Sequence, residues 1–217
     1  MAQRTTITQD QLRALSTLSR AAGLDGFFLA GGTAVAHHLR HRVSRDLDLF
    51  SRSDHADLDD IRRRLVATVS DLEVVEMTDA TLRVRIAGLP VDLVQYPYAL
   101  LEAPGPGPGG MAVAGLLDLA TMKLSAISRR GIRRDFWDLF EITTRGGVPL
   151  QAAAEAYVRA FGVKESDLYH VLRALTYFDD ADAEVVFPVG LGEPLWTAIQ
   201  QHFRTEAPRV LVGLDDP

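Results

Sequence analysis

The sequence predicts an α+β fold, with a mixed sheet and its helices in the N-terminal half and a helical lobe in the C-terminal half. Three observations support this prediction. Strand-like apolar runs occur between residues 27 and 95, helical spacing of apolar residues dominates after residue 115, and the stretch PGPGPGG at 104–110 separates the two parts. We therefore expect an α/β core at residues 1–103, a Pro/Gly linker at 104–110 and a helical lobe at 111–217.

The N-terminal half is predicted to begin with a helix. Thr8 and Gln11 have the spacing of a capping box, and Gly23 is a plausible stop for the helix that follows. The next predicted elements are a strand at 27–30, a glycine turn at 31–32, a short helix at 33–39, a strand at 47–50, a helix at 57–69 and strands at 73–77, 82–86 and 91–95. The turn at 87–90 predicts that the last two strands form a hairpin.

The C-terminal half shows helical periodicity throughout. The predicted helices lie at 116–128, 134–143, 150–160, 166–177 and 193–204, with a tight turn at Gly131 between the first two. We find no internal repeat.

Composition narrows the class of protein. The chain has 217 residues, of which 47% are hydrophobic and 24% are charged, as in an ordinary soluble globular protein. No apolar run approaches the roughly 20 residues that span a bilayer, and the polar residues 1–10 do not resemble a signal peptide. The absence of cysteine excludes disulfides, thiolate metal sites and a cysteine nucleophile, and it fits a cytoplasmic location.

The charges are unevenly distributed on an acidic chain. A net charge of −6 argues against a general nucleic-acid coat protein, because neutralising phosphates requires a surplus of Lys and Arg. Two basic clusters nevertheless stand out, one at residues 40–45 and one at residues 129–134. They suit a polyanionic substrate bound at one site, although solvated helix ends and loops explain them equally well.

Asp46 and Asp48 form an Asp-x-Asp triplet in a predicted strand. Residues two apart in a strand point to the same face, so both carboxylates lie side by side. Like charges this close are unfavourable unless a cation lies between them, and Mg²⁺ prefers oxygen ligands and bridges phosphates. The alternative is a pair of surface carboxylates on an edge strand.

The segment Gly31-Gly32-Thr33 lies between a predicted strand and a predicted helix. Glycine allows close approach of the backbone to a phosphate, and the helix N-terminus offers free N–H groups. The Thr33 hydroxyl can donate one more hydrogen bond, and Ser44 can contact a phosphate or accept a transferred group. An ordinary turn and an ordinary loop serine are the alternatives.

Asp92 is a single carboxylate within the apolar strand LPVDLVQY. If this strand lies beside that of Asp46, Asp92 becomes a third metal ligand and a base for an attacking hydroxyl. The alternative is a structural partner for Arg83 or Arg85 across the hairpin.

Lys123 lies on or beside the apolar stripe of a predicted helix. An inward lysine needs an anion, which a triphosphate would provide, whereas a lysine at the stripe's edge would extend into water. Asp135 and Asp138 share a face of the next helix and are candidates to orient Lys123 or to bind the base or sugar of a nucleotide. The alternative for Asp138 is an ion pair with Arg134 on its own helix.

These motifs together resemble a known family. The segments GGTAVAHHL, then Arg42, Ser44 and DLDLF, then VDLV, then MKLSAISRRGIRRDFWDLFE resemble the nucleotidyltransferase family of AbiEii/AbiGii-type toxins, over about residues 28–141. The resemblance implies a DNA polymerase β-like nucleotidyltransferase core, a helical C-terminal lobe that completes the active site, and a toxin of a toxin–antitoxin or phage-defence system. Some members transfer nucleotides to the 3′ end of tRNA.

The resemblance also implies roles for single residues. Gly31, Gly32 and Thr33 hold the triphosphate, and Asp46 and Asp48 hold Mg²⁺. Asp92 occupies the place of the third carboxylate, Lys123 contacts phosphate, and Asp135 or Asp138 completes the site. The C-terminal lobe is short compared with many relatives, which leaves less surface for a tRNA.

The leading hypothesis is therefore a Mg²⁺-dependent nucleotidyltransferase that uses an NTP, with tRNA as acceptor and a cognate antitoxin as partner. One alternative is a small-molecule nucleotidyltransferase of the kind that modifies antibiotics. The other is a nucleotide-binding module without catalysis.

Overall fold

The computed structural model describes residues 6–21, 23–52 and 56–215, so the first five residues of the polar N-terminal stretch lie outside it. The chain divides into two compact units, Met1–Gly115 and Leu116–Pro217. The first contains a mixed sheet with helices and the second contains helices, which confirms the predicted α+β fold class. No helix in the described ranges is long and apolar enough to cross a bilayer.

The first unit is built around a seven-stranded sheet. Its elements are α1 Gln9–Leu18, β1 Phe27–Leu29, α2 Gly31–Leu39, β2 Leu47–Arg52, α3 Leu58–Thr68, β3 Leu72–Met77, β4 Thr81–Ile86, β5 Leu89–Tyr96, β6 Gly105–Pro106 and β7 Ala112–Val113. The strand order is β3-β4-β5-β2-β1-β7-β6. β2 pairs with β5, and β1 with β7, in parallel, while the other neighbours are antiparallel.

Helix α1 begins as the sequence predicts. The Thr8 hydroxyl accepts a hydrogen bond from the backbone N–H of Gln11. The backbone N–H of Thr8 donates in return to the side-chain Oε1 of Gln11, which completes the capping box. The helix ends at Leu18, with Ser19 as its C-cap, several residues before Gly23. Leu15 and Leu18 are fully buried, so the apolar stripe faces the core of the first unit.

The strands show the alternation that a half-buried sheet requires. Leu47 and Leu49 of β2 and their register partners Val91 and Leu93 of β5 are fully buried. The residues between them are only partly covered. One face of these central strands therefore packs into the core, and the opposite face carries the polar side chains.

The Pro/Gly stretch at 104–110, which the sequence predicts to be a linker, contains regular structure. Gly105–Pro106 pairs with Ala112–Val113, and Pro108–Gly110 forms a single 3₁₀ turn. Gly109 has a φ of 63° and lies against α1, where Ser19 Oγ donates to its carbonyl at 2.9 Å. Glycine at this position allows a backbone approach that a side chain would block.

The second unit consists of helices α4 Leu116–Arg130, α5 Arg133–Arg145, α6 Leu150–Phe161, α7 Glu165–Ala174, α8 Asp179–Asp182 and α9 Glu193–Asp215. Helix α7 is shorter than predicted, α8 was not predicted, and α9 continues through Pro208 well beyond the predicted end. Phe136 is at the centre of the aromatic core, with ring centroids of Phe178, Trp196 and Phe203 at 5.1, 5.8 and 5.9 Å.

Candidate active site

Asp46 and Asp48 lie on one face at the start of β2. The leucines that alternate with them are fully buried, whereas both aspartates remain partly exposed. The two carboxylates therefore share the polar face of the sheet, as the spacing predicts. Asp48 lies within β2, and Asp46 lies one residue before it.

Asp92 joins this pair through the strand register. β2 and β5 are parallel neighbours, and Asp48 is the direct partner of Asp92. Partners on adjacent strands are about 4.8 Å apart and point to the same face. The sheet thus brings Asp92 beside the Asp-x-Asp pair, which was the condition that the sequence left open.

Arg83 is the cross-strand partner of Asp92. The two residues are in register on antiparallel β4 and β5, and Arg83 Nε lies 3.3 Å from Asp92 Oδ2. Burial raises the pKa of Asp92 above its ordinary value, Arg83 opposes this shift, and the nearby Asp46 carboxylate adds to it. Of the two arginines considered from the sequence, Arg83 makes this contact, whereas Arg85 lies opposite Pro90.

Gly31 is the first residue of α2 and contacts the second aspartate. Its φ is 60°, and a Cβ placed on it would overlap the carboxylate of Asp48. The glycine therefore makes room for a side chain of its own chain, in addition to any approach to phosphate. The sequence predicted a glycine turn followed by a helix at 33–39, whereas the glycines themselves form the first helical turn.

The N-terminus of α2 has two features that favour negative charge. Ala30 provides no side-chain cap, and the first N–H groups of a helix have no acceptor within it. Arg42 is 95% buried, and its guanidinium lies where a Cβ on Gly32 would be. A buried cation beside a helix N-terminus favours negative charge at this position.

Two hydroxyls support Asp46. Thr33 Oγ1 donates to the Asp46 carbonyl at 2.6 Å, and Ser44 Oγ donates to Asp46 Oδ1 at 2.8 Å. A hydroxyl has one proton to donate, so both protons are committed to Asp46 in this structure. For Thr33, the backbone N–H remains as the group that suits a phosphate.

Gln11 is a supporting residue that the sequence reasoning did not place at the site. Its side chain is fully buried, and Nε2 donates to the carbonyls of Ser44 and Asp46 at 3.1 and 3.4 Å. The capping-box spacing identified Gln11 only as a helix-start residue. Arg42 was identified as part of a basic cluster and of the family motif, but not as a buried residue, because its burial depends on the tertiary fold.

The carboxylates fit a Mg²⁺ ion that shares its ligands with a substrate. Within the described ranges, no group of three or more His, Asp or Glu side chains is arranged as a ready metal site. Mg²⁺ is usually bound through one or two carboxylates together with substrate phosphates and water, so a preformed cage is not required. Asp46 and Asp48, beside the N-terminus of α2, have the ligand chemistry for such an ion.

Lys123, Asp135 and Asp138 form a separate buried cluster within the second unit. Lys123 Nζ lies 2.7 Å from Asp135 Oδ1 and 2.7 Å from Asp138 Oδ2. Arg130 Nε contacts the other oxygen of Asp135 at 3.0 Å, so two positive charges match two negative ones. Lys123 is buried, and the interpretation as a lysine that extends into water is therefore wrong.

This arrangement supplies an anion for Lys123 from its own chain. Burial alone raises the pKa of Asp135, but Lys123 and Arg130 outweigh that effect and hold the pKa below its ordinary value. Asp138 pairs with Lys123 from the adjacent helix. The structure thus brings together the three residues that the sequence reasoning had linked.

Residues 13–88 match the model of the family described as nucleotidyl transferase AbiEii toxin, type IV TA system. This match confirms the resemblance inferred from the motifs and, with it, the predicted enzyme class of nucleotidyltransferase. The matched segment contains the glycine pair, Asp46 and Asp48, and it ends before Asp92.

Two kinds of relative extend the comparison. The chain is 28% identical over 206 residues to an uncharacterized protein of Aquifex aeolicus strain VF5, covering 94% of this chain and 98% of the relative. Among solved structures it is similar to the Megavirus polyadenylate synthase, with 13% identity and a TM-score of 0.44 over 67% of this chain and 34% of the synthase. The chain therefore spans about a third of that enzyme's length.

A second solved structure is the antigenic nucleotidyltransferase-like protein from Paracoccidioides brasiliensis, with 18% identity and a TM-score of 0.44 over 77% of this chain and 94% of that protein. Both structural similarities are distant. The fold class consequently rests on the sheet and helices of the chain itself.

Proposed function

We propose that this chain is a Mg²⁺-dependent nucleotidyltransferase that transfers a nucleoside monophosphate from an NTP to an acceptor hydroxyl, with tRNA as the acceptor. The observation that carries the proposal is the placement of Asp46, Asp48 and Asp92 on one face of the sheet, next to the glycine-containing start of α2. We further propose that it acts as a toxin with a cognate antitoxin, in the cytoplasm. The AbiEii family match supports the toxin and antitoxin roles.

The reaction forms one bond and breaks another at the α-phosphorus. The oxygen of the acceptor hydroxyl attacks in line, the bond between the α-phosphorus and the bridging oxygen breaks, and pyrophosphate leaves with that electron pair. We propose that Asp92 receives the hydroxyl proton, and its raised pKa, which makes it a better proton acceptor than an ordinary aspartate, supports this role. A divalent ion held by Asp46 and Asp48 would supply charge neutralisation on the triphosphate.

The other residues of this face orient the substrate. The first N–H groups of α2 and the buried guanidinium of Arg42 provide positive potential for the phosphates. Ser44 and Gln11 hold Asp46 through its carboxylate and its carbonyl. In the second unit, Asp135 and Asp138 each hold the Lys123 ammonium at 2.7 Å. We propose, as the family resemblance implies, that this ammonium contacts phosphate.

The test is a transfer assay with total cellular RNA as the source of acceptor. The protein is incubated with Mg²⁺ and each labelled NTP in turn, and the products are separated on a gel. A labelled tRNA-sized band is expected for the wild type and for Asp10→Asn, a surface variant on α1, and none for Asp48→Asn. Label that survives in Asp48→Asn would contradict the metal role of Asp48.

The same assay separates the alternatives. Label on a small molecule instead of RNA would keep the chemistry and replace the acceptor, as for an antibiotic-modifying enzyme. No transfer with any NTP, together with wild-type nucleotide binding, would favour a non-catalytic module. Growth arrest on induced expression, relieved by Asp48→Asn, is expected for a toxin.

A further inference from the structure

A row of four charged residues crosses the polar face of the sheet. Glu76 of β3 is the register partner of Arg83, Arg83 is the partner of Asp92, and Asp92 is the partner of Asp48. The row thus leads from the exposed edge strand to the proposed metal carboxylate. Each member lies on a different strand, so strand pairing alone holds the four side chains in line.

Arg83 lies between two carboxylates in this row. Its guanidinium bonds to Glu76 through Nη1 and approaches Asp92 through Nε at 3.3 Å. The Arg83 side chain is 52% exposed and that of Asp92 is 34% exposed. An ion pair with this much solvent is weak, so another cation can displace Arg83 without a large loss of stability.

We propose that Arg83 is a positioning residue that competes with the divalent ion for Asp92, so that the site binds the free ion weakly until substrate phosphates join the ligand set. The inference rests on the proposed function and concerns how that same site is regulated. While Arg83 holds Asp92, two carboxylates remain for the ion. Substrate phosphates would add oxygen ligands and negative charge, so a divalent ion would compete better with Arg83, and Asp92 would exchange the guanidinium for the reacting centre.

Arg85 provides a matched control on the same strand. Arg85 lies two residues after Arg83 on β4 and therefore on the same face, and its guanidinium lies 3.8 Å from the Glu73 carboxylate. Its partner on β5 is Pro90, which has no charge to share. Replacing Arg85 removes the same charge from the same face of β4 without uncovering Asp92.

The experiment measures Mn²⁺ binding to the full chain by calorimetry at low salt, without nucleotide. We expect Arg83→Gln to bind Mn²⁺ about fivefold to tenfold more tightly than wild type, because one positive charge near a divalent ion is removed. Arg85→Gln and the charge-conserving Arg83→Lys are expected to stay within about twofold of wild type. In Arg83→Gln combined with Asp92→Asn, the gain is expected to disappear.

The outcomes distinguish the two levels of the proposal. Unchanged Mn²⁺ affinity in Asp46→Asn and Asp48→Asn would overturn the proposed metal site. If those variants lose binding but Arg83→Gln is no tighter than wild type, the competition by Arg83 is overturned and the site remains. Equal tightening in Arg85→Gln, or no detectable binding in either wild type or Arg83→Gln, also overturns it.

Discussion

The carboxylate of Asp48 occupies the space that a side chain at Gly31 would need. The two residues lie on different elements, α2 and β2, and the Ala30 amide that precedes the glycine donates to the Asp48 carbonyl at 2.9 Å. The proposed phosphate-binding turn and the proposed metal strand are therefore one tightly packed unit. A change in either is expected to move the other.

Gly31→Ala tests this relationship. The substitution combines an unfavourable positive φ with overlap on Asp48, and we expect a loss of about 2–4 kcal/mol in unfolding free energy. The control is Gly88→Ala in the β4–β5 turn, where φ is 80° and no atom lies within 4 Å of the added Cβ. Urea unfolding should show the larger loss for Gly31→Ala, with transfer activity lost only there. Equal losses would mean that strain alone accounts for the effect.

Gln11→Ala tests the support beneath the Asp46 loop. Removing the side chain leaves the buried carbonyls of Ser44 and Asp46 without this donor, which costs about 1–3 kcal/mol. Gln9→Ala, an exposed change in the same helical turn, is expected to cost less than about 0.5 kcal/mol. Denaturant titration measures both. A Gln11→Ala variant as stable as Gln9→Ala would be inconsistent with this bridge.

Thr33→Val tests which part of Thr33 faces the substrate. Its hydroxyl proton is donated to the Asp46 carbonyl, so the variant should lose about 1 kcal/mol of stability. Because the backbone N–H is kept, KM for the NTP is expected to change by less than about twofold, which is 0.4 kcal/mol. Steady-state kinetics with varied NTP decide the point. A tenfold rise in KM with unchanged stability would assign the hydroxyl to phosphate instead.

Lys123→Met tests the buried cluster of the second unit. Removing the ammonium takes away the cation that two buried carboxylates share, and breaking a buried ion pair from one side costs about 3–5 kcal/mol. Arg129→Met, which removes an exposed cation from the same helix, should cost little. Thermal and urea unfolding compare the two variants. A stable Lys123→Met protein that has lost activity would show that Lys123 serves catalysis more than folding.

The lowered pKa of Asp135 predicts a dependence of stability on pH. The unfolded pKa, about 3.9, lies above the folded one, so this contribution is fully present above about pH 4 and is lost as the pH falls through the folded-state pKa. We expect the unfolding free energy of wild type to fall below pH 4 more steeply than that of Asp135→Asn. Urea titrations between pH 3 and pH 6 measure the two slopes. Parallel slopes would exclude a net contribution of Asp135.

Sequence patterns predicted the parts of the fold that depend on local signals. The alternation around Asp46 and Asp48, the β4–β5 hairpin and the capping box of α1 all follow from residues close together in the chain. They did not predict that Gly105–Pro106 pairs with β7, because proline and glycine have low strand propensity and only the tertiary fold places them there. The sequence also did not predict that α9 continues past Pro208, because proline in a helix interior usually kinks or breaks the helix.

The same distinction between local signals and the tertiary fold applies to the residues of the candidate site. The Asp-x-Asp pair was identified from its spacing, whereas the choice of Arg83 over Arg85 required the strand register. The roles of Gln11 and Arg42 depend on their burial in the folded protein. Burial of a polar side chain cannot be predicted from its residue type, because most polar residues are exposed. The cluster around Lys123 was anticipated only as a set of candidates, since its partners lie on a neighbouring helix.

The pairing of β2 with β5 has a consequence for how the protein folds. Positions 48 and 92 are distant in the chain, and between them β3, β4 and β5 can associate as a local meander before either meets β2. Contacts between distant segments form slowly because the intervening chain must be ordered first. We therefore expect the carboxylate face to assemble late in folding, and a growing polypeptide cannot form it until β5 has been synthesised. During refolding, hydrogen-exchange protection of β4 should appear before that of β2.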